Sequence, residues 1–202
     1  MNNEKQIVLF LEKNQEFSEI KLASELYENF PLLEAPITIP YDEKKPNNPL
    51  IIFNRGIMQM TMNRNDVSFI FKDEDNDECL EMIESIMERL DDNRIKFNRL
   101  GYVSSYIHTA KEKAKFITNV FKDKNIVKDE FNLSWYKEEL IDSVRVNVWE
   151  KHLTDTMNKV DFLTIIDINT PRDKEYNITS EFTIDFIKKC NKYISKLLDE
   201  RI

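Results

Sequence analysis

Carboxylates are the residue type that this sequence concentrates at spacings able to do chemistry, and ten of them lie between residues 73 and 92. Four match positions 1, 3, 5 and 12 of a calcium-binding loop, namely Asp73, Asp75, Asp77 and Glu84. Position 6 of such a loop needs glycine for a sharp turn, and here it is Glu78. Calcium binding is therefore one alternative for this segment, although Glu78 does not meet the requirement for glycine at position 6.

A helix explains the same segment differently. Asp75 as N-cap and Glu78 three residues later form a capping-box-like pair at the positive end of the helix dipole. Further carboxylates recur at spacings of three and four, where like charges cost ~0.2–0.5 kcal/mol each. They are Glu81, Glu84, Glu88, Asp91 and Asp92. This face is either merely solvated or a surface that binds a basic protein partner, and we predict the second.

A third group of carboxylates follows the predicted strand 160–168. Asp167, Asp173 and Glu175 could hold a metal ion for a nuclease or another hydrolase. Asp161 shares a strand face with Asp167 but lies about 20 Å away, too far to bind the same ion. A metal-dependent hydrolase is thus the enzymatic alternative, and otherwise we predict neither a catalytic residue nor a cofactor.

The two histidines offer weaker patterns. Arg145 and His152 have the spacing of the arginine-histidine pair of HEPN-type ribonucleases, but Val146 follows the arginine in a predicted strand. His108 alternates with Tyr102 and Tyr106, which predicts a position on a sheet surface.

Aromatic residues suggest a nucleic-acid-binding alternative, in which a sheet stacks bases on exposed rings beside arginines. The residues involved would be Phe53, Phe69, Phe71, Tyr102 and Tyr106 with Arg55, Arg64 and Arg99, although we expect most of these rings in the core. Direct nucleic-acid binding is disfavoured by the net charge of −8, because an acidic protein forgoes counterion release.

Composition excludes several other classes. The chain has 202 residues, 41% of them hydrophobic, so it can bury a real core. Its two glycines lie in neither a GxGxxG nor a GxxxxGK[ST] setting, which removes dinucleotide and P-loop chemistry. Cys79 and Cys190 have no CxxC spacing and are predicted to be buried thiols. With no apolar window of about 18 residues, we expect a cytoplasmic protein without a membrane segment.

Acidity is localised. Residues 73–92 carry ten carboxylates and Arg89, a balance of −10 + 1 = −9, whereas the whole chain is −8. Everything else therefore sums to +1, and one predicted helix holds the acidity of the protein.

Hydrophobic periodicity predicts the elements that position these residues. Residues 1–30 are predicted as a helical N-terminal segment of two short helices, the first including Ile7, Phe10 and Leu11. Strands are predicted at 37–39, 50–53, 56–62 and 67–71, with a turn at 63–66, then the acidic helix and a long strand over 94–108.

The second half repeats this arrangement. A helix containing Ala114, Ile117 and Phe121 precedes strands at 131–136, 143–150 and 160–168, and Ser180 caps a long closing helix. Residues 138–160 fit either a helix or a strand, and their β-branched residues favour a strand. The predicted class is α+β with two similar halves, at 31–110 and 111–202, each of antiparallel strands plus a helix.

Three motifs carry a resemblance to a known family. PLLEAPITIP as a first strand, NRLGYVSSYIH as a strand, and LTIIDIN before a long helix are similar to a sporadically distributed bacterial family of conserved hypothetical proteins. The resemblance covers about residues 30–198. It implies a fold and no chemistry, since the family has no settled activity.

These patterns together predict a non-enzymatic interaction protein, a regulator or inhibitor that presents the acidic helix to a basic partner. Nucleic-acid-processing enzymes are partners of suitable charge, and antitoxins, immunity proteins and phage-encoded inhibitors are proteins of this character. A homodimer stays open as an alternative.

Overall fold

The computed structural model describes residues 3–13, 15, 17–30, 33–39, 50–72, 76–121, 131–155 and 160–202. Nine strands and four helices occur in these ranges. The strands are β1 (Glu4–Leu11), β2 (Ile37–Ile39), β3 (Leu50–Arg55), β4 (Met58–Met62), β5 (Asp66–Lys72), β6 (Phe97–Ile107), β7 (Asn132–Ile141), β8 (Val144–Asp155) and β9 (Val160–Asn169). The helices are α1 (Glu19–Asn29), α2 (Asn76–Asp92), α3 (Ala110–Phe121) and α4 (Ser180–Arg201).

The nine strands form one antiparallel sheet in the order β2-β3-β4-β5-β1-β6-β9-β8-β7. The α+β class predicted from the sequence is therefore confirmed. The described part of the ambiguous segment 138–160 consists of the end of β7, a turn at 142–143, β8 and the first residue of β9, so the strand interpretation favoured there is confirmed for these residues. Element order recurs along the chain: a strand, a helix, consecutive antiparallel strands and a helix run from β1 to α2, and again from β6 to α4. These two runs begin at β1 and β6, so they do not coincide with the predicted boundaries at 30/31 and 110/111.

The predicted helical N-terminal segment is wrong in its first part, because residues 4–11 form β1. This strand lies in the middle of the sheet, paired with β5 on one side and β6 on the other. Ile7, Leu9 and Leu11 are buried while the residues between them are half-buried, which is the period of two of a strand. A continuous apolar run of this length is compatible with either element. The second predicted helix of the segment is α1.

The two faces of the sheet differ. All four helices pack on one face, where alternate strand residues such as Ile7, Phe69 and Ile166 join helix residues in the main core. A smaller aromatic cluster of Phe116, Phe131 and Phe162 lies on the same side, under α3. The opposite side, which we call the open face, has none of the described helices packed on it.

Exposed apolar side chains mark the open face. Among the described residues, six of the eight exposed large hydrophobic side chains belong to strands, and cross-strand pairing places them on this side. They are Ile37, Ile39, Ile107, Tyr136, Leu140 and Trp149. The sheet therefore offers an accessible surface that is partly aromatic and partly aliphatic.

The predicted buried stripe of the acidic helix is confirmed in α2, where Leu80, Ile83, Met87 and Leu90 are buried. The closing helix is confirmed as α4, but its N-cap is Thr179 and not Ser180, because the Thr179 hydroxyl accepts from the backbone N–H of Phe182. Both cysteines are buried and free, as predicted. Within the described ranges, none of the helices combines the length and apolar character needed to span a membrane.

Candidate functional site

The carboxylates predicted to bind a partner lie on the outer side of α2. Glu81, Glu84 and Glu88, which we call the acidic face, are exposed, whereas the opposite side of the helix packs on the core and on α4. Asp91 and Asp92 are exposed at the C-terminal end of the same helix. One amphipathic helix thus brings all five predicted residues to one region of the surface.

Countercharge is present at both ends of α2. At the N-terminal end Arg55 pairs with Glu78 at 2.9 Å, and at the C-terminal end Arg89 pairs with Asp92 at 3.7 Å. Burial raises the pKa of Asp91, although a hydrogen bond from the backbone N–H of Ser180 opposes the shift.

The middle of the helix differs from its ends. No lysine or arginine of the described ranges forms an ion pair with the carboxylates of the acidic face. Their mutual repulsion along the helix therefore has no internal relief.

The predicted calcium ligands are only partly described, because Asp73 and Asp75 lie outside the described residues. Asp77, Glu78 and Glu84 all lie within α2, so this part of the segment has helical backbone and not the loop conformation that an EF-hand uses. Among the residues that can be placed, no three His, Cys, Asp or Glu side chains gather as metal ligands.

The predicted hydrolase carboxylates are engaged by other groups or stand apart. Asp167 on β9 accepts a short hydrogen bond from Asn169, and its pKa is raised by burial while Asn169 and Arg99 act in the opposite direction. Asp173, in the loop after β9, pairs with Arg145 at 3.5 Å. Glu175 is exposed in the same loop.

The aromatic residues suggested for base stacking are mainly core residues. Phe53, Phe69, Phe71 and Tyr102 are buried on the helix side of the sheet. Alternation along each strand directs these side chains into the core, so they are not accessible for stacking on bases. Exposed rings occur elsewhere, on the open face.

A cavity of about 430 Å³ occupies one end of the open face, between the β7-β8 hairpin, the start of β6 and the loop after β9. Five side chains give it its chemical character, and we call it the open-face cavity. They are Arg99, Tyr136, Arg145, Trp149 and Arg172. Arg99 and Arg145 were singled out from the sequence, but for other roles, and the other three were not.

Arg99 is held at the floor of this cavity. Its guanidinium lies over the Phe10 ring, 4.2 Å from the ring centroid, and its Nη2 donates to Asn169 Oδ1 at 3.2 Å. The Nε of Arg99 is buried and has no hydrogen-bond acceptor among the described residues. Burial lowers the pKa of Arg99, the positive charge of Arg172 lowers it further, and Asp167 opposes both.

Two rings and a paired arginine form the wall of the cavity. Tyr136 and Trp149 are cross-strand partners with ring centroids 4.7 Å apart, and they are 53% and 42% exposed. The Tyr136 hydroxyl donates to Asn147 Oδ1 at 3.1 Å. Arg145 is already neutralised, because Glu138 at 2.9 Å and Asp173 at 3.5 Å flank it.

The sequence of β8 contains a pattern from which this site could have been predicted, since buried valines alternate with polar and aromatic residues. In VRVNVWE, the valines 144, 146 and 148 are buried, whereas Arg145, Asn147 and Trp149 share the other face. A strand with polar and aromatic residues on one side and valines on the other predicts an accessible functional face. Register with β7 and β9, which the sequence does not reveal, assembles the cavity.

Both histidines converge on one hydroxyl on the helix side of the sheet. His108 Nε2 and His152 Nδ1 each lie 2.9 Å from Thr164 Oγ1. The predicted surface position of His108 is wrong, since it is buried against Phe162. His152 and Arg145 lie on opposite faces of β8, so they do not form a ribonuclease-like pair.

Two glutamates flank the ends of this buried chain of polar groups. Glu150 Oε2 is 3.6 Å from His152 Nε2, and Glu112 Oε2 is 4.0 Å from His108 Nδ1. Burial lowers the pKa of His108, with Glu112 opposing. Burial alone would raise the pKa of Glu150, but His152, Arg201 and Lys137 together lower it. Thr164 is fully buried, whereas His108 and Glu112 line a separate cavity of about 420 Å³ beside the C-terminal end of α4.

No protein-family model matches this chain, and no curated protein is significantly similar to it.

Proposed function

We propose that the protein is a non-enzymatic interaction protein that presents the acidic face of α2 to a basic protein partner. The observation that carries this proposal is that Glu81, Glu84 and Glu88 are exposed side by side without an ion pair among the described residues. In this proposal the protein acts in the cytoplasm as a regulator or inhibitor, as antitoxins and immunity proteins do.

Charge complementarity selects the partner. Like charges at spacings of three and four residues destabilise a helix by ~0.2–0.5 kcal/mol per pair. A cationic surface that approaches from outside would remove this repulsion and gain attraction, and long-range steering would speed its association. A groove that otherwise holds nucleic acid has the charge to match.

The position of α2 supports such docking. Its inner residues Ile83, Ile86 and Met87 are fully buried, so the helix is fixed on the core and its outer carboxylates are presented on a rigid support. Rigid presentation limits the entropy lost on association.

Two of the three carboxylates predicted for a metal-dependent hydrolase already have other partners. Asp167 is engaged by Asn169 and Asp173 by Arg145. No other observation among the described residues favours it.

A photo-crosslinking experiment tests the proposal. A photoreactive residue replaces Ser85, which is exposed between the acidic residues, and a second variant carries it at the exposed Ser195 of α4. After irradiation in a cell extract, mass spectrometry identifies the crosslinked partner and the crosslinked peptide. We expect the Ser85 variant, and not the Ser195 variant, to crosslink to a lysine- or arginine-rich segment.

Matched charge variants provide the control. The triple variant Glu81→Gln, Glu84→Gln, Glu88→Gln should lose the crosslink, whereas Glu28→Gln, Glu175→Gln, Glu200→Gln removes the same charge from exposed sites elsewhere and should keep it. A crosslinked segment without basic residues, or equal crosslinking by both triple variants, would contradict the proposal.

A further inference from the structure

The open-face cavity has no part in the proposed docking of α2 and has a chemistry of its own. Its volume of about 430 Å³ falls within the range of ~300–1,000 Å³ typical of small-molecule sites. Cross-strand register builds it from three parts of the chain that are distant in sequence: the start of β6, the β7-β8 hairpin and the loop after β9. Such a concave site is a candidate for a small ligand.

Positive charge predominates in the cavity. Three arginines and two carboxylates line it, a balance of +3 − 2 = +1 in a chain of net charge −8. Because Glu138 and Asp173 both pair with Arg145, the two carboxylates are already used. Arg99 and Arg172 are left without a carboxylate in ion-pair contact within the described part of the chain.

Both guanidiniums line the same cavity, so their positive charges repel each other. The charge of Arg172 adds to burial in lowering the pKa of Arg99. The negative charge of Asp167 acts in the opposite direction. An anion between Arg99 and Arg172 would relieve the repulsion.

The aromatic wall selects a planar group. Trp149 and Tyr136 lie side by side on the open face, and the hydrogen bond from Tyr136 to Asn147 fixes the tyrosine ring. Exposed indole and phenol rings favour stacking with nucleobases, worth ~1–3 kcal/mol per base. Asn147 also offers amide groups for base edges.

We propose that the open-face cavity binds a nucleotide, with the base stacked on Trp149 and the phosphate held between Arg99 and Arg172. Arginine suits this role because its planar fork binds phosphate in two-point contacts. A free mononucleotide is favoured over a nucleic-acid strand, because a polyanion would be repelled by the net charge of −8 while a single nucleotide meets only the local cations.

Isothermal titration calorimetry of the full chain with adenosine 5′-monophosphate tests this inference. Adenosine and ribose 5-phosphate each supply only one of the two recognition elements, so each should bind about tenfold or more weakly than the nucleotide. An eight-nucleotide single strand should bind no more tightly than the mononucleotide. Binding should also quench tryptophan fluorescence, and Trp149→Ala should remove the quenching.

Two variants of one loop give a matched comparison. Arg172→Gln should weaken nucleotide binding about tenfold or more, whereas Lys174→Gln removes the same charge two residues away, outside the cavity lining, and should leave it unchanged. Arg172, Lys174 and Trp149 are all exposed, so these variants should fold, which circular dichroism checks.

Four results would overturn the inference. They are no detectable nucleotide binding, equal binding of ribose 5-phosphate, tighter binding of the single strand, and equal loss in the Arg172 and Lys174 variants. A weakened Arg172→Gln with an unchanged Lys174→Gln, together with the ligand order given above, would establish the site.

Discussion

Gly101 lies on β6 directly opposite Asn169 of β9, and its lack of a side chain leaves room for the Asn169 carboxamide. A Cβ built at this position would lie 2.5 Å from Asn169 Oδ1, closer than real Cβ contacts allow. The same Oδ1 accepts from Arg99, so one missing methyl group determines how the floor of the open-face cavity is arranged.

Gly101→Ala should therefore destabilise the protein by about 1–3 kcal/mol, the usual cost of overpacking. Gly56→Ala is the control, because nothing lies within 4 Å of a Cβ there and its backbone is not in the left-handed region, so its effect should stay within about 0.5 kcal/mol. Urea unfolding measures both free energies. Adding Asn169→Ala to Gly101→Ala should recover part of the loss, and no recovery would show that the clash lies elsewhere.

Among the elements, α2 carries two kinds of carboxylate that should respond oppositely to neutralisation. Glu78 is paired with Arg55, whereas Glu84 faces only other carboxylates along its helix among the described residues. The same helix thus contains an internal comparison between a compensated and an uncompensated charge.

We expect Glu84→Gln to stabilise the protein by ~0.2–0.5 kcal/mol, since it removes like-charge repulsion. Glu78→Gln should destabilise it by up to about 1 kcal/mol, the upper range for a surface ion pair. Chemical denaturation at low salt measures both, and high salt should shrink both differences. A loss of stability in Glu84→Gln would mean that a cation already compensates this carboxylate.

Over the whole molecule, the buried group of His108, Thr164, His152 and Glu150 joins β6, β8 and β9 beneath α3. The Thr164 hydroxyl has one proton, so it can donate to only one histidine and must accept from the other. If His152 carries its proton on Nε2, toward Glu150, then Thr164 donates to His152 and His108 donates through Nε2. Neutral His108 then has no proton on Nδ1 to offer Glu112.

Stability should depend on pH through this group. Because the folded pKa of His108 is lowered from about 6.5, its contribution is complete above pH 6.5 and is lost as the pH falls toward the folded value. Glu150, with a pKa lowered from 4.5, adds a separate loss only below pH 4.5. The wild type should therefore lose more stability between pH 7 and pH 5 than His108→Gln, which does not titrate.

Thermal unfolding at half-unit pH steps measures this difference, with a slope of at most ~1.4 kcal/mol per pH unit for one proton. The pKa values of Asp66, Asp91 and Asp167 are raised, so these groups stabilise the folded protein as the pH falls, opposite to His108. Their contribution is present in both proteins, so subtracting the two curves removes it. Parallel curves would show that His108 does not carry the dependence.

Local patterns in the sequence predict most of the elements. The apolar stripe of α2 and the alternation of β3 to β5 were sufficient to predict these elements, because burial in each follows the period of that element. The helix prediction for residues 4–11 is wrong because five consecutive apolar residues, from Ile7 to Leu11, fit the period of a helix as well as that of a strand. Only the pairing with β5 and β6 decides in favour of a strand.

Sites were less predictable than elements. The exposed carboxylates of α2 could be found because they are neighbours in sequence, whereas Arg99, Trp149 and Arg172 come together only through strand register. The pairing of His108 and His152 on Thr164 also depends on register, since Thr164 lies opposite His152 on the neighbouring strand. The spacing of residues along the chain does not predict contacts that depend on strand register.

The central place of β1 has a consequence for synthesis. The ribosome synthesises β1 before β5 and β6, its two neighbours in the sheet. This apolar strand therefore stays unpaired until first β5 and then β6 have been translated. Contacts so distant in sequence form slowly, because a long loop must lose conformational entropy in closing before its contacts stabilise the chain. A nascent chain stalled before β5 would leave the middle strand of the sheet exposed, which makes this stage the one most dependent on a chaperone.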